Sequence, residues 1–267
     1  MSPTIKLSAP DTRGFWEIPV LFEDEQLLAL DKPDGILTSP DRLDPQRSSL
    51  MQLLHAAIAG GKPWAQERGL VYLMPAHRLD SDTSGVLLLA KSKPALITLA
   101  NFFGSEKPAW TCIALASGTP RENRFDVDAK IASHPLQPGL MRVDSRNGKK
   151  SKTQFEVLES FSRHSYSLLR CRLLTHRPHQ IEAHLQYLGL AVAGSGDYGG
   201  KPLWLSRLKP GYRLKPGKEE RPLIARAALH MEELNIPHPI TGTNITITAP
   251  WQKDLKVAVK YLRQYAM

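Results

Sequence analysis

The hydrophobic pattern alternates between short apolar runs and stretches with helical spacing. Short apolar runs between turn residues, and strict alternation of apolar and polar residues, are typical of strands. They predict strands at residues 18–22, 27–30, 86–90, 110–116, 155–157, 165–174 and 245–248. Apolar spacings of three and four predict helices at residues 50–58, 93–103, 178–188 and 252–265. The chain is therefore predicted to mix helices with strands, and its sequence contains no internal repeat.

Turn-forming residues mark the segments between these elements. The first residues of the chain are polar, with two prolines and a glycine, and they predict a loose arm that we take as residues 1–15. Residues 117–150 are rich in turn residues and cations, and residues 201–222 contain four prolines, so both predict surface loops. No linker separates two hydrophobic cores. Residues 16–267 are therefore expected to form one domain.

The balance of charges bears on the partner of this chain. Lys and Arg total 35 against 26 acidic residues, which gives a formal net charge of +9. Such a surplus suits a polyanionic partner, and the cations of residues 117–150 belong either to a solvated loop or to a surface that faces RNA phosphates. The two cysteines, Cys112 and Cys171, lie in strand-like runs and favour a reducing cytoplasm. No apolar run approaches membrane-spanning length, which predicts a soluble intracellular protein.

A polar cluster directly precedes the apolar run 86–90, as in a loop that enters a buried strand. Such loops are common places for catalytic side chains, because a rigid scaffold holds them while leaving them accessible. Taken alone, Asp80 could equally satisfy a local turn. The order His-Arg-Leu-Asp-x-x-Thr-Ser-Gly at residues 77–85 is more specific and resembles the signature of RluA-type RNA pseudouridine synthases. This resemblance implies that Asp80 is the catalytic residue.

Further segments resemble the same family, in the order that the family has them. Asp-Lys-Pro-x-Gly at residues 31–35 resembles a motif near the start of these enzymes. Residues 175–184 resemble the family pattern Thr-Gly-Arg-x-His-Gln-Ile-Arg-x-His, and residues 194–199 resemble its Gly-Asp-x-x-Tyr-Gly turn. Residues 149–159 and 229–239 resemble a strand and a closing strand pair. The resemblance therefore covers residues from about 16 to 255.

The resemblance implies a fold, a partner and a set of site residues. The expected fold is α+β, the pseudouridine synthase catalytic fold, with a central, mainly antiparallel sheet, flanking helices and an RNA-binding cleft. No accessory RNA-binding domain is expected before residue 16. The expected protein is a monomer that acts on ribosomal or transfer RNA without a cofactor, a membrane or an obligatory protein partner. The residues expected to contact RNA or to support the motifs are His77, Arg78, Thr83, Arg177, His179 and Gln180.

Two positions depart from the family pattern. Cys112 stands where the family has its active-site tyrosine; a thiol cannot stack under uracil as a phenol does, although an ionised thiol can move a proton. Glu182 stands where the family has the arginine that pairs with the catalytic aspartate. Glu182 cannot supply that positive charge. Either Arg177 or Arg78 pairs with Asp80 instead, or the two acids share a proton, or isomerisation is weak or absent.

The sequence argues against a metal site and leaves two alternative functions open. His179, Glu182 and His184 are spaced three and five residues apart, which places the two histidines on different helix faces, so no metal site is predicted. The main alternative is a catalytically impaired RNA-binding protein of the same fold. A third hypothesis is an unrelated hydrolase that uses Asp80 and Glu182 as paired carboxylates. It would be favoured by a small pocket holding both acids and by absence of RNA binding.

Overall fold

The computed structural model describes residues 4–9, 14–41, 44, 47–105 and 109–266. In chain order the strands are β1 Thr4–Ala9, β2 Gly14–Glu23, β3 Leu27–Lys32, β4 Met74–Pro75, β5 Ser84–Ala90, β6 Ala109–Ser117, β7 Arg124–Asp128, β8 Ile131–Ser133, β9 Met141–Val143, β10 Lys152–Phe161, β11 Tyr166–Leu173, β12 Ala191–Val192, β13 Leu229–Pro237 and β14 Asn244–Thr248. The α-helices are α1 Leu50–Ala59, α2 Pro63–Glu67, α3 Lys93–Gly104, α4 Gln180–Tyr187, α5 Leu205–Leu208 and α6 Lys253–Tyr265. These elements belong to two compact units.

Unit 1 comprises Met1–Ala109 and Met231–Pro250. Its strands are hydrogen-bonded in the order β1-β2-β3-β5-β13, with β4 on β5 and β14 on β13. The pairs β1–β2, β2–β3, β3–β5, β4–β5 and β13–β14 are antiparallel. Alternate residues of β1, β2, β3 and β5 form one hydrophobic core with the apolar face of α1. This sheet supports the segment that carries the first motif.

Unit 2 comprises Trp110–His230 and Trp251–Met267. Its strands are ordered β6-β11-β10-β7, with β12 on β6, and β8 and β9 form a separate two-stranded sheet. Each of these pairs is antiparallel. The α+β class with mainly antiparallel strands, predicted from the sequence, is confirmed. Among the described residues, no helix combines the length and the apolar character needed to cross a membrane.

Local sequence signals account for the starts of the main helices. Ser49 caps α1 in a capping box, because its hydroxyl accepts from the backbone of Gln52 while the Gln52 side chain accepts from the backbone of Ser49. The hydroxyl of Ser92 accepts from the backbone of Ala95 at the start of α3. Serine is among the favoured N-cap residues, so both helix starts carry a local sequence signal.

Two sequence expectations about loops are wrong. The expected loose arm over residues 1–15 contains β1, in which Ile5, Leu7 and Ala9 are buried against β2. The alternation of apolar and polar residues in β1 extends over only six residues between turn-forming residues, so it was too short to indicate a strand. The expected loop over residues 117–150 contains β7, β8 and β9. Their polar side chains mask the pattern because only one residue in each of β7 and β8 is buried.

Candidate active site

The first motif forms the loop between β4 and β5 in unit 1. Leu79 and Thr83 are buried, Asp80 is half-buried and Arg78 is exposed. The backbone N–H of Thr83 donates to the carbonyl oxygen of Asp80 at 3.1 Å, which closes a tight turn directly after the aspartate. Asp80 is therefore held by its backbone at the surface end of a buried strand.

A buried ammonium group organises this loop from beneath. Lys32, the last residue of β3, has no solvent exposure. Its Nζ donates to the carbonyl oxygens of Pro33 at 3.0 Å, Asp80 at 3.2 Å, Ser81 at 3.3 Å and Thr83 at 3.0 Å. A buried charge must be compensated by polar partners, and here the partners are backbone dipoles of the Asp80 loop. The loop conformation is thus tied to the cation.

A threonine fixes the residue before the aspartate. Thr38 Oγ1 donates to the carbonyl oxygen of Leu79 at 2.7 Å and accepts from the backbone N–H of Leu79 at 3.1 Å. The N–H of Gly35, which has a φ of +78°, donates to the carbonyl oxygen of Ser81 at 2.9 Å. The segment at residues 31–38 therefore holds the Asp80 loop at both sides of the aspartate.

The backbone at the start of β5 requires glycine. Gly85 has a φ of +113°, which side chains of L-residues rarely adopt. A Cβ atom at this position would lie 2.1 Å from the carbonyl oxygen of Met231 in β13. The motif has glycine at residue 85 because the backbones of β5 and β13 approach each other closely at this point.

The histidine of the first motif has a structural role. His77 Nε2 accepts from the backbone N–H of Leu88 at 3.0 Å, so this nitrogen carries no proton. Its ring also contacts the ring of Phe103, with centroids 5.5 Å apart. Thr83, a second expected RNA-binding residue, is buried and offers its carbonyl oxygen to Lys32. Arg78 is the exposed cation of this group.

The second motif forms the start of α4 in unit 2, where a directed hydrogen-bond network fixes the helix on β10. The N–H of Lys152 donates to Thr175 Oγ1, and that hydroxyl donates to Gln180 Oε1 at 3.0 Å. Gln180 Nε2 donates to the carbonyl oxygen of Lys152 at 3.1 Å and to Thr153 Oγ1 at 2.9 Å. Gln180 is buried, and its amide is fully used inside the protein, which favours the scaffolding interpretation of this residue.

His184 continues the same network. Its Nε2 lies 2.9 Å from the carbonyl oxygen of Ala129 and therefore carries the proton, so Nδ1 accepts from Thr153 Oγ1 at 2.9 Å. Burial lowers the pKa of His184, against the opposing effect of the Ala129 carbonyl. Both ring nitrogens are occupied, so His184 cannot join His179 and Glu182 as a metal ligand.

Glu182 and His179 lie together, as their spacing on the helix requires. Glu182 is 6% exposed, and its Oε1 accepts from Ser195 Oγ at 2.7 Å. Its Oε2 lies 3.4 Å from His179 Nδ1. His179 is the N-cap of α4 in the left-handed conformation, with a φ of +48°, and its ring stacks on Tyr198 with centroids 5.6 Å apart. The carboxylate is thus positioned from two sides.

The remaining expected residues of unit 2 are Cys112 in β6 and Arg177 in the segment before α4. Cys112 is buried in β6, directly opposite Cys171 of β11, and the two cysteines do not form a disulfide bond. Burial raises the pKa of Cys171 well above its usual value, and Cys112 adds to the effect. The half-buried guanidinium of Arg177 donates to the carbonyl oxygen of His176 at 2.9 Å.

Sequence reasoning missed three residues that fix the two motifs. Lys32 was noticed within a turn motif but was given no role, because a lysine carries no sequence signal of burial. Thr38 lies outside every motif. For Ser195 a signal was present: the turn Gly-Asp-x-x-Tyr-Gly, aligned on Tyr198 and Gly199, has its aspartate at position 195.

Similarity to known proteins extends over most of the chain. The family model described as RNA pseudouridylate synthase matches residues 26–187. Ribosomal large subunit pseudouridine synthase C of Salmonella typhi is 33% identical over 249 residues, which cover 92% of this chain and 70% of that protein. Ribosomal large subunit pseudouridine synthase D of Nitrosomonas europaea is 33% identical over 247 residues, which cover 92% of this chain and 65% of that protein.

A solved structure shares the fold. Human RNA Pseudouridylate Synthase Domain Containing 4 superposes with a TM-score of 0.66 over 91% of this chain and 92% of that chain. Its sequence identity of 21% limits this likeness to the fold.

Proposed function

The chain belongs to the RNA pseudouridylate synthase family, and from this premise we propose that Asp80 is the carboxylate that acts on the target uridine. Members of this family are RNA pseudouridine synthases, which are isomerases. The observation that supports Asp80 is the way its loop is built. The buried Lys32 ammonium, Thr38 and Gly35 hold the backbone on both sides of the aspartate, while its side chain stays partly accessible. Preorganisation of this kind is what a catalytic group needs.

The reaction defines what the site must do. Uridine must leave its stack so that the enzyme can reach the sugar and the base. Asp80 then attacks the sugar or removes a proton from it, the bond between N1 and C1′ breaks, and the base rejoins C1′ through C5. The proton on C5 must leave, and N1 must gain one. Atoms are conserved overall, so we expect the reaction to need no cofactor.

The substrate is proposed to be ribosomal or transfer RNA. The two relatives named above are called ribosomal large subunit synthases, so RNA of the large ribosomal subunit is the first substrate to test. The net charge of +9 favours binding to a polyanion. Arg78 is the best candidate for a direct RNA contact, because it is exposed and lies two residues before Asp80 in the same loop. We further infer that the protein acts as one domain and a monomer in the cytoplasm, where its two thiols stay reduced.

Unmodified transcripts of large-subunit ribosomal RNA and of transfer RNAs from the source organism provide the test. Pseudouridine is mapped after incubation with the wild type, with Asp80→Asn and with Asp82→Asn. Asp82 is an exposed acid of the same loop, so its variant is a control for the loss of one negative charge. Wild type and Asp82→Asn should form product, and Asp80→Asn should form none.

Product formation by Asp80→Asn at the rate of the wild type would refute the role of Asp80. The replacements at Cys112 and Glu182 favour one alternative, a catalytically impaired RNA-binding protein. That alternative expects salt-dependent RNA binding without product from any transcript.

A further inference from the structure

We propose that exposed cations of α5 and α6 form a surface that binds the phosphate backbone of the RNA substrate. This α5–α6 surface is defined by Arg207, Lys209, Lys253, Lys256 and Lys260. All five residues belong to unit 2, and none of them lies in a segment that resembles a family motif. The inference rests on the function proposed above, because it takes RNA as the substrate.

The positive charge of the chain is concentrated in two segments. Seven cations stand against two acids at residues 201–222, and four against one at residues 251–267, so these segments supply eight of the nine surplus charges. The rest of the chain is almost neutral. The first segment contains α5 and the second contains α6, and the two helices are in contact. Such a concentration of cations is the electrostatic footprint expected of a surface that attracts a polyanion.

The loop that carries α5 is held at its base. The N–H of Leu203 donates to the carbonyl oxygen of Ile224 at 3.0 Å, and the N–H of Leu223 donates to that of Leu203 at 2.7 Å. The side chains of Leu203 and Ile224 are buried, whereas Arg207 and Lys209 are exposed. Among the residues that the structure describes, neither of these two cations has an ion-pair partner. Both are therefore available to an external anion.

The charged residues of α6 divide into two groups. Arg226 Nε donates to Asp254 Oδ2 at 2.8 Å, and Arg263 Nε donates to Glu159 Oε2 at 2.8 Å. Asp254 and Arg263 thus fix the helix to the rest of unit 2. The three lysines of α6 are exposed, and none of them forms an ion pair with any described residue. The helix therefore presents unpaired positive charge to the solvent.

The positions of these lysines oppose the stability of the helix itself. At 3.6 residues per turn, all three lie within about 60° of one another around the helix axis. Like charges at spacings of three and four residues repel each other. Lys253 and Lys256 also lie near the N-terminus of α6, where the helix dipole favours acids rather than cations. A polyanion bound on this side of the helix would offset both effects.

The packing of α6 favours RNA over an anionic membrane as the partner. Amphipathic helices that bind membranes bury their apolar face among the lipids. The apolar residues of α6, Leu255, Ala258, Val259 and Leu262, are already buried in the protein. Only the basic side of the helix faces solvent. Cations of this kind bind RNA phosphates without reading bases, so the surface should contribute affinity rather than sequence choice.

The test measures affinity for transcripts of large-subunit ribosomal RNA as a function of salt. The main variant is Lys253→Gln/Lys256→Gln/Lys260→Gln, because glutamine has a helix propensity close to that of lysine. Each neutralised phosphate of a single strand contributes about 0.7 to the slope of log affinity against log salt, so three lysines contribute about 2. We expect the variant to bind about 100-fold more weakly than the wild type at roughly 0.1 M salt, and equally near 1 M.

A matched control carries the same change of net charge in another part of the chain. Lys6→Gln/Lys62→Gln/Lys93→Gln removes three exposed lysines of unit 1. Since salt screens distant charges, this control should change the affinity by less than about threefold. An equal loss of affinity in the control would overturn the inference.

Two further measurements separate RNA binding from a structural role of the α6 lysines. Their removal relieves repulsion within the helix, so the melting temperature of the main variant should equal or exceed that of the wild type. A lower melting temperature would assign the lysines to the fold and overturn the inference. With an active wild type, the variant should keep its single-turnover rate at saturating RNA, because the lysines act on affinity. A slower rate with unchanged affinity would also overturn it.

The remaining outcomes are equally decisive. An unchanged affinity and salt slope in the main variant overturn the inference, as does a wild type that binds vesicles containing phosphatidylserine but not RNA. If the main variant does not fold, Arg207→Gln/Lys209→Gln takes its place, with an expected loss of about 10- to 30-fold at roughly 0.1 M salt. A wild type that forms no pseudouridine, but whose RNA affinity depends on these cations, overturns the proposed function and supports the α5–α6 surface.

Discussion

Removal of the Lys32 ammonium should loosen the loop that carries Asp80. In Lys32→Met the side chain keeps its approximate length, but the carbonyl oxygens of Pro33, Asp80, Ser81 and Thr83 lose a charged donor. The site has no solvent exposure at Lys32, so water does not readily replace the ammonium. The substitution therefore tests whether the loop depends on the buried cation.

The size of the destabilisation depends on which of the four carbonyl oxygens keep another hydrogen-bond donor. The oxygen of Asp80 still accepts from the N–H of Thr83, and that of Ser81 still accepts from the N–H of Gly35. The oxygens of Pro33 and Thr83 lose the donor that the structure shows for them among the described residues. A buried polar group left unsatisfied costs about 1–3 kcal/mol, so we expect a loss of about 2–6 kcal/mol. This is a large part of the 5–15 kcal/mol or so that is typical of domain stability.

Urea unfolding and amide hydrogen exchange of residues 79–84 measure the effect. Lys6→Met is the matched control, because Lys6 forms an exposed ion pair with Glu17 in the same unit and such pairs contribute little. We expect Lys32→Met to speed exchange at the loop and to abolish product formation, and the control to do neither. A Lys32→Met protein within about 0.5 kcal/mol of the wild type, with loop protection intact, would refute the reasoning.

Three further substitutions or conditions test other parts of the fold. Burial holds the pKa of His184 below its usual 6.5, so the unfolded chain binds a proton that the folded chain does not. The contribution of His184 to the free energy of unfolding should be fully present above pH 6.5 and should be lost as the pH falls below this value. The urea midpoints of the wild type should therefore fall with pH in this range, and this part of the pH dependence should be absent in His184→Gln. Gly85→Ala should destabilise unit 1 far more than Gly69→Ala. Both glycines have a positive φ, but only at Gly85 would the new Cβ atom collide with the backbone, at 2.1 Å from the Met231 carbonyl oxygen. Equal melting temperatures of the two variants would contradict this expectation. Ser195→Asp should place a second acid beside Glu182 and lower the melting temperature, whereas Ser195→Ala should lower it less. The reverse order would contradict repulsion between the two acids.

The sequence predicted the elements well where burial follows a regular period. The strand predicted at residues 86–90 lies within β5, and the helices predicted at residues 50–58 and 93–103 match α1 and α3. The strand β1 was missed because its alternation is short, and β8 and β9 were missed because their partner is each other rather than the main sheet. The spacing of apolar residues within one segment says little about a small sheet whose strands pair only with each other.

The residues that hold the Asp80 loop in place were less predictable than the motifs themselves. Motif order identified Asp80, His179 and Glu182, since those residues lie at fixed offsets in the chain. The burial of Lys32 was not predictable, because three of its oxygen partners belong to residues 80, 81 and 83, which are 48 to 51 positions away in the chain. From the sequence alone, a lysine at the end of a strand is expected at the surface. Only the fold shows the carbonyl groups that surround Lys32.

The Glu182–Ser195 contact shows that the departure from the family pattern at residue 182 is matched by the residue that it touches. Two acids about 4 Å apart repel by roughly 4 kcal/mol at an effective dielectric constant of 20, so a glutamate beside the family's aspartate would be strongly unfavourable. A serine at residue 195 removes this repulsion and donates a hydrogen bond at 2.7 Å, which to a charged group contributes about 1.5–3 kcal/mol. A site under no functional constraint would accept an apolar residue at position 182, which costs less to bury than any carboxylate. The chain instead keeps a buried acid whose two oxygens both have polar neighbours, Ser195 Oγ at 2.7 Å and His179 Nδ1 at 3.4 Å, so the burial of the carboxylate is compensated locally.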